Sequence, residues 1–164
     1  MLNKFLIFLI LIFFSCNNNK VLFENNLKCY KNYIQEINHF FLDTNASSID
    51  FSSYIEDDFI FHSYPAGYKK GIEHTKEKYI QSFNLMKEIK MSVNIGHSIY
   101  LPGIDEKNHK YDGSVRVYYG ANLILDTNNV EYSGYRTVNF HNGRISEIWE
   151  WADYGGVKNQ LFLE

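Results

Sequence analysis

Cysteine is scarce in this chain, two residues in 164, which leaves no material for a disulfide framework. Basic clusters are missing as well. Sixteen Lys and Arg face nineteen Asp and Glu, with no run of Arg interleaved with aromatics, so a polyanion is repelled on balance and nucleic acid is excluded as a partner. The six histidines show no close spacing and no Cys/His/Asp cluster, which argues against a preformed zinc site. No glycine-rich phosphate loop and no Gly-x-Ser-x-Gly elbow occurs, and nothing in the sequence implies an organic cofactor. Long apolar runs are absent too. The longest, Phe5 to Phe14, has ten residues, and a helix crossing roughly 30 Å of hydrocarbon needs about 20.

That short run has another meaning. Lys4 precedes it and Ser15-Cys16 follows it, the layout of a secretory signal. A small residue directly before cysteine resembles a bacterial lipoprotein signal, which implies cleavage after Ser15 and acylation of Cys16. Two or more acyl chains anchor stably where one is marginal. The expected location is therefore the bacterial cell envelope, lipid-anchored to a membrane, with a soluble secreted or periplasmic protein as the alternative. Residues 1–15 form the signal, 16–22 a lipidated tether, and 23–164 one domain. Removal of 1–15 takes away only Lys4, leaving 149 residues with 15 basic and 19 acidic groups, a size that suits one core. With Cys16 acylated, Cys29 is a lone thiol on an apolar helical stripe, read as a small buried hydrophobe.

Phe23, Leu27, Tyr30, Ile34, Ile37 and Phe41 recur at spacings of four and three, one face of an α-helix. Asp43 to Ser48 breaks it, and Ser48 is placed to cap a short second helix through Tyr54. A strand from Phe59 to Tyr64 stops at Pro65-Ala-Gly67, and Gly71 to Lys87 reads as a third helix. The texture then changes to period 2. Met91–Leu101, Ser114–Leu125, Glu131–Phe140 and Ile145–Trp151 read as four long strands, separated by Pro102-Gly103, by Asp126 to Asn129 and by the Asn142-Gly143 turn. No repeat or low-complexity segment intervenes. The expected class is α+β, a strongly curved, mainly antiparallel sheet forming a cone around three helices.

The closing phrase Asn142-Gly-Arg-Ile-Ser-Glu-Ile-Trp-Glu-Trp-Ala-Asp153 resembles the last strand of the nuclear-transport-factor-2-like superfamily, in particular its SnoaL-like polyketide cyclase and limonene epoxide hydrolase branches. Tyr54 to His62 resembles the acidic entry to that family's first strand, Gly71-Ile-Glu73 its third-helix start, and Asp153 to Leu161 its exit. The order of elements matches over about residues 24 to 155. The resemblance implies a cone whose interior is an apolar pocket with a few polar groups at its floor. Function would live in those groups.

Strand alternation allows two inward faces for the last strand: Ile145, Glu147, Trp149, Trp151 and Asp153, or Ser146, Ile148, Glu150 and Ala152. Hydrophobicity alone puts the tryptophans inside. The resemblance to limonene epoxide hydrolase instead aligns its catalytic aspartate with Glu150, and that alternative is adopted. It leaves the tryptophan face to be covered by a homodimer packed through the outer sheet. It also turns Tyr132, Gly134, Arg136 and Val138 inward, within reach of Glu150. The epoxide hydrolase arrangement also needs an Arg and a second Asp on the preceding strand, where this chain has Tyr119 and Ala121, so that set is incomplete. Tyr64, before Pro65, stands where ketosteroid isomerase carries its general-base aspartate, and His39 lies near that family's tyrosine.

These alignments give the expected site. His62, Tyr64 and Glu150 are the catalytic candidates, with His62 as proton shuttle, Glu150 as a second acid or base and Tyr64 as donor. His39, Tyr119 and Arg136 are the ligand-binding candidates. Each has a structural alternative: His62 as a core or rim histidine, Tyr64 and Tyr119 as walls, Arg136 with Glu150 as a structural pair. His74, His97, His109 and His141 are expected to face solvent. The implied activity is binding of a small, mostly apolar molecule, with cofactor-independent isomerase, dehydratase or cyclase chemistry if catalytic. A non-catalytic envelope module is the alternative.

Overall fold

A computed structural model of the chain describes the backbone from Leu2 to Phe162 and the side chains from Asn19 onward. The expected signal segment 1–15 and the acylation of Cys16 lie outside the described side chains. Nine elements follow in order: α1 (Leu2–Leu42), β1 (Ile55–Ser63), β2 (Ile72–Thr75), α2 (Lys76–Glu88), β3 (Met91–Ile104), β4 (Tyr111–Leu125), β5 (Asn128–His141), β6 (Arg144–Ala152) and α3 (Tyr154–Leu161). The strands form one sheet in the order β2-β1-β6-β5-β4-β3. β1 and β6 run parallel, and every other neighbouring pair is antiparallel. The α+β class is therefore as expected, with three helices against a mixed, mostly antiparallel six-stranded sheet.

The apolar stripe of α1 forms the core face. Tyr30, Tyr33, Ile34, Ile37 and Phe40 are buried there, meeting Ile55 and Phe59 of β1, Val115 and Val117 of β4, Val138 of β5, and Ile145 and Ile148 of β6. Residues 19–22, expected as tether, continue the helix and touch the sheet: Asn19 Nδ2 donates to Tyr111 O at 3.0 Å. Cys29 is half-buried with its thiol near Tyr54 O, and burial pushes that thiol's pKa up, in keeping with a packing role.

The expected helix from Ser48 to Tyr54 is a turn. Asp50 accepts from Ser52 N at 2.8 Å and Ser52 Oγ at 3.1 Å, an Asx turn that competes with helix formation. Ile49 and Phe51 are both buried. The expected helix start at Gly71 is also corrected. Ile72 to Thr75 pairs with β1, Ile72 opposite Ser63 and His74 opposite Phe61, and the helix starts at Lys76. Gly71 permits the reversal: its φ is +75°, and a Cβ there would lie 2.9 Å from the Tyr64 ring.

Pro102-Gly103 does not end β3, which continues to Ile104 with Pro102 opposite Val115. As the last strand in the sheet order, β3 has a free edge where a missing N–H costs nothing. The reversal comes at Asp105, whose Oδ1 accepts from Lys107 N and Asn108 N. Asn142 and Gly143 take φ of +50° and +79°, the geometry expected of a two-residue hairpin turn. The exit phrase is a third helix, its N-terminus capped by Asp153 accepting from Gly156 N at 2.9 Å.

A bulge decides the faces of β6. Asn139 pairs with Glu147 and Phe140 with Ile145, so Ser146 is the extra residue. Parity flips across it. Ile145 before the bulge and Ile148 and Glu150 after it all point inward, while Glu147, Trp149 and Trp151 take the outer face.

Candidate functional site

A half-open, mostly apolar cavity of ≈ 360 Å³ lies beneath the sheet. Phe61 of β1, Tyr79, Phe83 and Met86 of α2, Val93 and Ile95 of β3, and Leu123 of β4 supply its walls. Tyr79 stacks on Phe61 with ring centroids 4.7 Å apart and meets Phe83 edge-on at 5.0 Å, which fixes the wall from the helix side. The polar floor is made by Arg136, Glu150, Tyr132 and Tyr154.

Glu150 is the centre of that floor. It is 5% exposed and sits on β6 opposite Arg136 of β5. Arg136, also 5% exposed, donates through Nε to Glu150 Oε2. Tyr119 OH donates to the same oxygen at 2.9 Å, and Tyr154 OH donates to Oε1 at 2.5 Å. Arg136 Nη1 donates to Tyr30 OH at 3.3 Å, and its guanidinium lies 4.6 Å from the Tyr119 ring centroid. A buried ion pair is tolerable only when its remaining lone pairs and protons are also satisfied, and here phenols do that work.

The electrostatics follow from this arrangement. Burial works against the charged guanidinium, but Glu150 and the surrounding phenols outweigh it and hold the Arg136 pKa well above its ordinary value. Burial and the Glu150 charge both favour neutral phenols. They raise Tyr119 and Tyr154 and push Tyr132 up to about 12. The floor therefore sets the Glu150 carboxyl among one guanidinium and neutral O–H donors. Behind it, Tyr33 OH and Tyr79 OH are hydrogen-bonded to each other, and burial raises both of their pKa values.

Gly134 makes the constellation possible. It faces Tyr119 across the β4–β5 ladder, and a Cβ at Gly134 would overlap the Tyr119 ring, 2.6 Å from Cε1. Without that gap the phenol could not lie flat enough to reach Glu150.

The structure thus brings together three of the expected site residues, Glu150, Arg136 and Tyr119. It separates the others. His62 and Tyr64 are a correction: they lie on the outer sheet face. Phe59 and Phe61 of the same strand take the core, so alternation sends their even-numbered neighbours outward. His62 stacks on Trp149 at 4.1 Å, and Tyr64 stacks on Trp151 at 4.7 Å. His62 also lies 3.7 Å from Glu73 and 3.8 Å from Glu147, and its Nε2 has no hydrogen-bond partner. His39 is exposed on α1, away from the cavity. His74, expected in solvent, is half-buried at the cavity wall beside Lys78; His97, His109 and His141 are exposed. Among the described residues no group of three or more His, Cys, Asp or Glu could hold a metal ion.

Tyr154 and Tyr79 were not singled out from sequence. Tyr154 follows Asp153, and a helix-capping aspartate after the last strand is the one signal that would have turned it back over the cavity. Tyr79 was legible only as a position on the helix expected from Gly71 to Lys87.

No protein-family model and no curated protein matches the sequence. Solved structures do match. A Mycobacterium tuberculosis epoxide hydrolase of the limonene epoxide hydrolase type aligns over 84% of this chain and 90% of its own at 13% identity, TM-score 0.54. A phenazine biosynthesis-related protein from Pseudomonas aeruginosa aligns over 90% and 92% at 9% identity, TM-score 0.62. A protein assigned as a polyketide cyclase from Xanthomonas campestris pv. campestris aligns over 85% and 98% at 9% identity, TM-score 0.64. Identities of this size carry the architecture and not the chemistry: the chain has the cone fold of these structures, the fold that the nuclear-transport-factor-2-like resemblance implies.

Proposed function

We propose that this chain holds a small, mostly apolar ligand in the cavity of its cone, with one hydrogen-bonding group of that ligand seated on the Glu150–Arg136 floor. The observation that carries the reading is the match of a mostly apolar cavity of ≈ 360 Å³ to a buried polar cluster at its base, the usual composition of a small-molecule site. Glu150 Oε1 receives one donor, Tyr154 OH, so a lone pair remains for a ligand O–H or N–H. Arg136 uses Nε on Glu150 and Nη1 on Tyr30, which leaves Nη2 to donate to a ligand oxygen. Thermal-shift screening of hydrophobic alcohols and ketones on residues 20–164 tests this reading. A shift that disappears in Glu150→Gln supports it, and no shift with any compound overturns it.

Holding is favoured over turnover because the expected proton shuttle is not at the cavity. With His62 and Tyr64 on the far side of the sheet, the floor offers Glu150 as its carboxyl, already held by Arg136 and two phenols, and the imidazole lining the cavity is that of His74 on the wall. Proton transfer by Glu150 is the second reading. It is favoured by Glu150 lining the cavity with a lone pair of Oε1 open, and by Arg136 Nη2, which has a proton to offer a developing oxyanion.

Two further elements of the proposal concern placement. The domain is exported and anchored through acylated Cys16 in the bacterial envelope, as the run Phe5–Phe14 before Ser15-Cys16 supports. It pairs with a second copy through the outer sheet face. Ile99, Leu101, Tyr118 and Trp151 are each at least 40% exposed there. Arg116 at one side of that face and Glu73 and Glu147 at the other would oppose each other under a two-fold rotation.

A further inference from the structure

Residues 19–26 of α1 and the tip of the β3–β4 hairpin are joined into one surface. Asn19 Nδ2 donates to Tyr111 O at 3.0 Å, and Asn26 Nδ2 donates to Gly113 O at 2.8 Å. Phe23 packs on the Tyr111 ring at 6.3 Å. Gly113 has φ +84°, and a Cβ there would stand 2.9 Å from Leu22 Cδ2, so helix and hairpin are in direct contact. Val21, Leu22, Ile104 and Tyr111 are 50%, 46%, 51% and 41% exposed. Ile104 and Tyr111 are cross-strand partners. This is an apolar patch at the point where the N-terminal segment enters the domain.

We propose that this patch is a lipid-apposed face that stands the domain upright on the membrane with the cavity opening away from it. The inference rests on the anchor at Cys16. Cys16 and Asn19 are three residues apart, and three residues span at most about 11 Å even when fully extended. The headgroup layer on each side of a bilayer is roughly 5–7 Å deep. An acyl-bearing Cys16 therefore keeps Leu22, Ile104 and Tyr111 within reach of the interface, into which aromatic and aliphatic side chains partition. The charges around the patch nearly cancel with a slight acidic excess, Lys20, Lys107 and Lys110 against Glu24, Asp105, Glu106 and Asp112. The contact is thus apolar in character and does not depend on anionic lipid.

The cavity lies at the other end of the same strand. Val93 lines it, and Ile104 is eleven residues further along β3, a contour of roughly 35 Å at the rise of a strand, shortened somewhat by two bulges. α1 spans the same length in the opposite direction, from Asn19 on the hairpin tip to Asn38, which donates to Ile95 O at 2.8 Å beside the cavity. The ligand would accordingly enter from the aqueous side and not by lateral escape from the bilayer.

The test uses the full acylated chain with Cys29→Ser, carrying a single bimane label at either Lys107→Cys on the hairpin tip or Gln81→Cys on α2. It is reconstituted in phosphatidylethanolamine–phosphatidylglycerol vesicles containing a nitroxide headgroup lipid. Several-fold stronger quenching at 107 than at 81, unchanged by salt, is expected. Ile104→Asp should reduce the quenching at 107 while vesicle flotation persists. Equal quenching at both positions, stronger quenching at 81, or full quenching retained in Ile104→Asp would overturn the orientation while leaving the anchor intact. An unacylated Cys16 by mass spectrometry, with no flotation, would overturn the anchor and the orientation together.

Discussion

Gly134 and Tyr119 face each other across two antiparallel strands, and the aromatic ring of one occupies the space that a side chain on the other would need. Gly134→Ala should therefore push the phenol off Glu150. Overpacking of this kind costs about 1–3 kcal/mol, and the Tyr119 hydrogen bond is lost as well. Differential scanning calorimetry should show a lowered Tm, with the ligand-induced thermal shift reduced in the same variant. An unchanged Tm would mean that the sheet yields at this point without cost.

The ion pair of Glu150 and Arg136 gives a sharper expectation. Arg136→Met leaves a carboxylate buried with only phenols for company, and breaking a buried pair from one side costs about 3–5 kcal/mol. Adding Glu150→Leu should recover most of that loss, since two apolar groups satisfy each other. Urea denaturation of the two single variants and the double variant measures the coupling. Additive losses would contradict the pairing.

Alkaline pH should unfold the domain through its phenols. The folded-state pKa of Tyr132 is raised to about 12, against an ordinary value near 10, and Tyr119 and Tyr154 shift in the same direction. A raised folded pKa means that the stabilising contribution is complete below about pH 10 and is lost as pH climbs toward the folded value. Tyr132 alone accounts for at most about 2–3 kcal/mol across that window. Phenolate absorbance should rise in two stages, exposed tyrosines first and the floor tyrosines together with unfolding. A single smooth titration with the fold retained would contradict the neutral floor.

The outer face should behave independently of the cavity. Trp151→Glu is expected to convert a dimer to a monomer in sedimentation equilibrium without lowering Tm by more than a few degrees. His62→Ala should leave the ligand-induced thermal shift unchanged, because the imidazole stacks on Trp149 outside the cone. A strict monomer in the unaltered protein would remove the proposed pairing, and loss of the ligand shift in His62→Ala would mean that the two faces are coupled.

Much of this architecture is legible in local pattern. The four-three spacing from Phe23 to Phe41 marks α1, and Asn142-Gly143 marks a hairpin because its two positive φ values suit that pair. The four long strands follow from period 2. Other features are decided by partners distant in sequence. Ile72 to Thr75 is a strand only because β1 offers it an edge, and four residues carry too little periodicity to say so. The Asx turn at Asp50 competes with a helix that the spacing alone permits.

The candidate site divides along the same line. Glu150 and Arg136 were placed together by the family resemblance, against a hydrophobic pattern that wanted the tryptophans inside. The reason that pattern misleads is the extra residue Ser146, which reverses parity within β6 and lets Ile145 and Ile148 both point inward. His62 and Tyr64 were drawn in by alignment with a distant active site. Phe59 and Phe61 already claimed the inner face of that strand, and alternation leaves no choice for the residues between them.

Both tryptophans of the chain lie on the outer side of the sheet, sandwiching Tyr64 with ring planes tilted by only 14° and 11°. The protein therefore carries its own optical probe of one surface. Indole emission should respond when another body covers that stacked triple and stay silent when a guest settles behind the sheet. Binding and assembly can thus be told apart in a cuvette, with no dye attached.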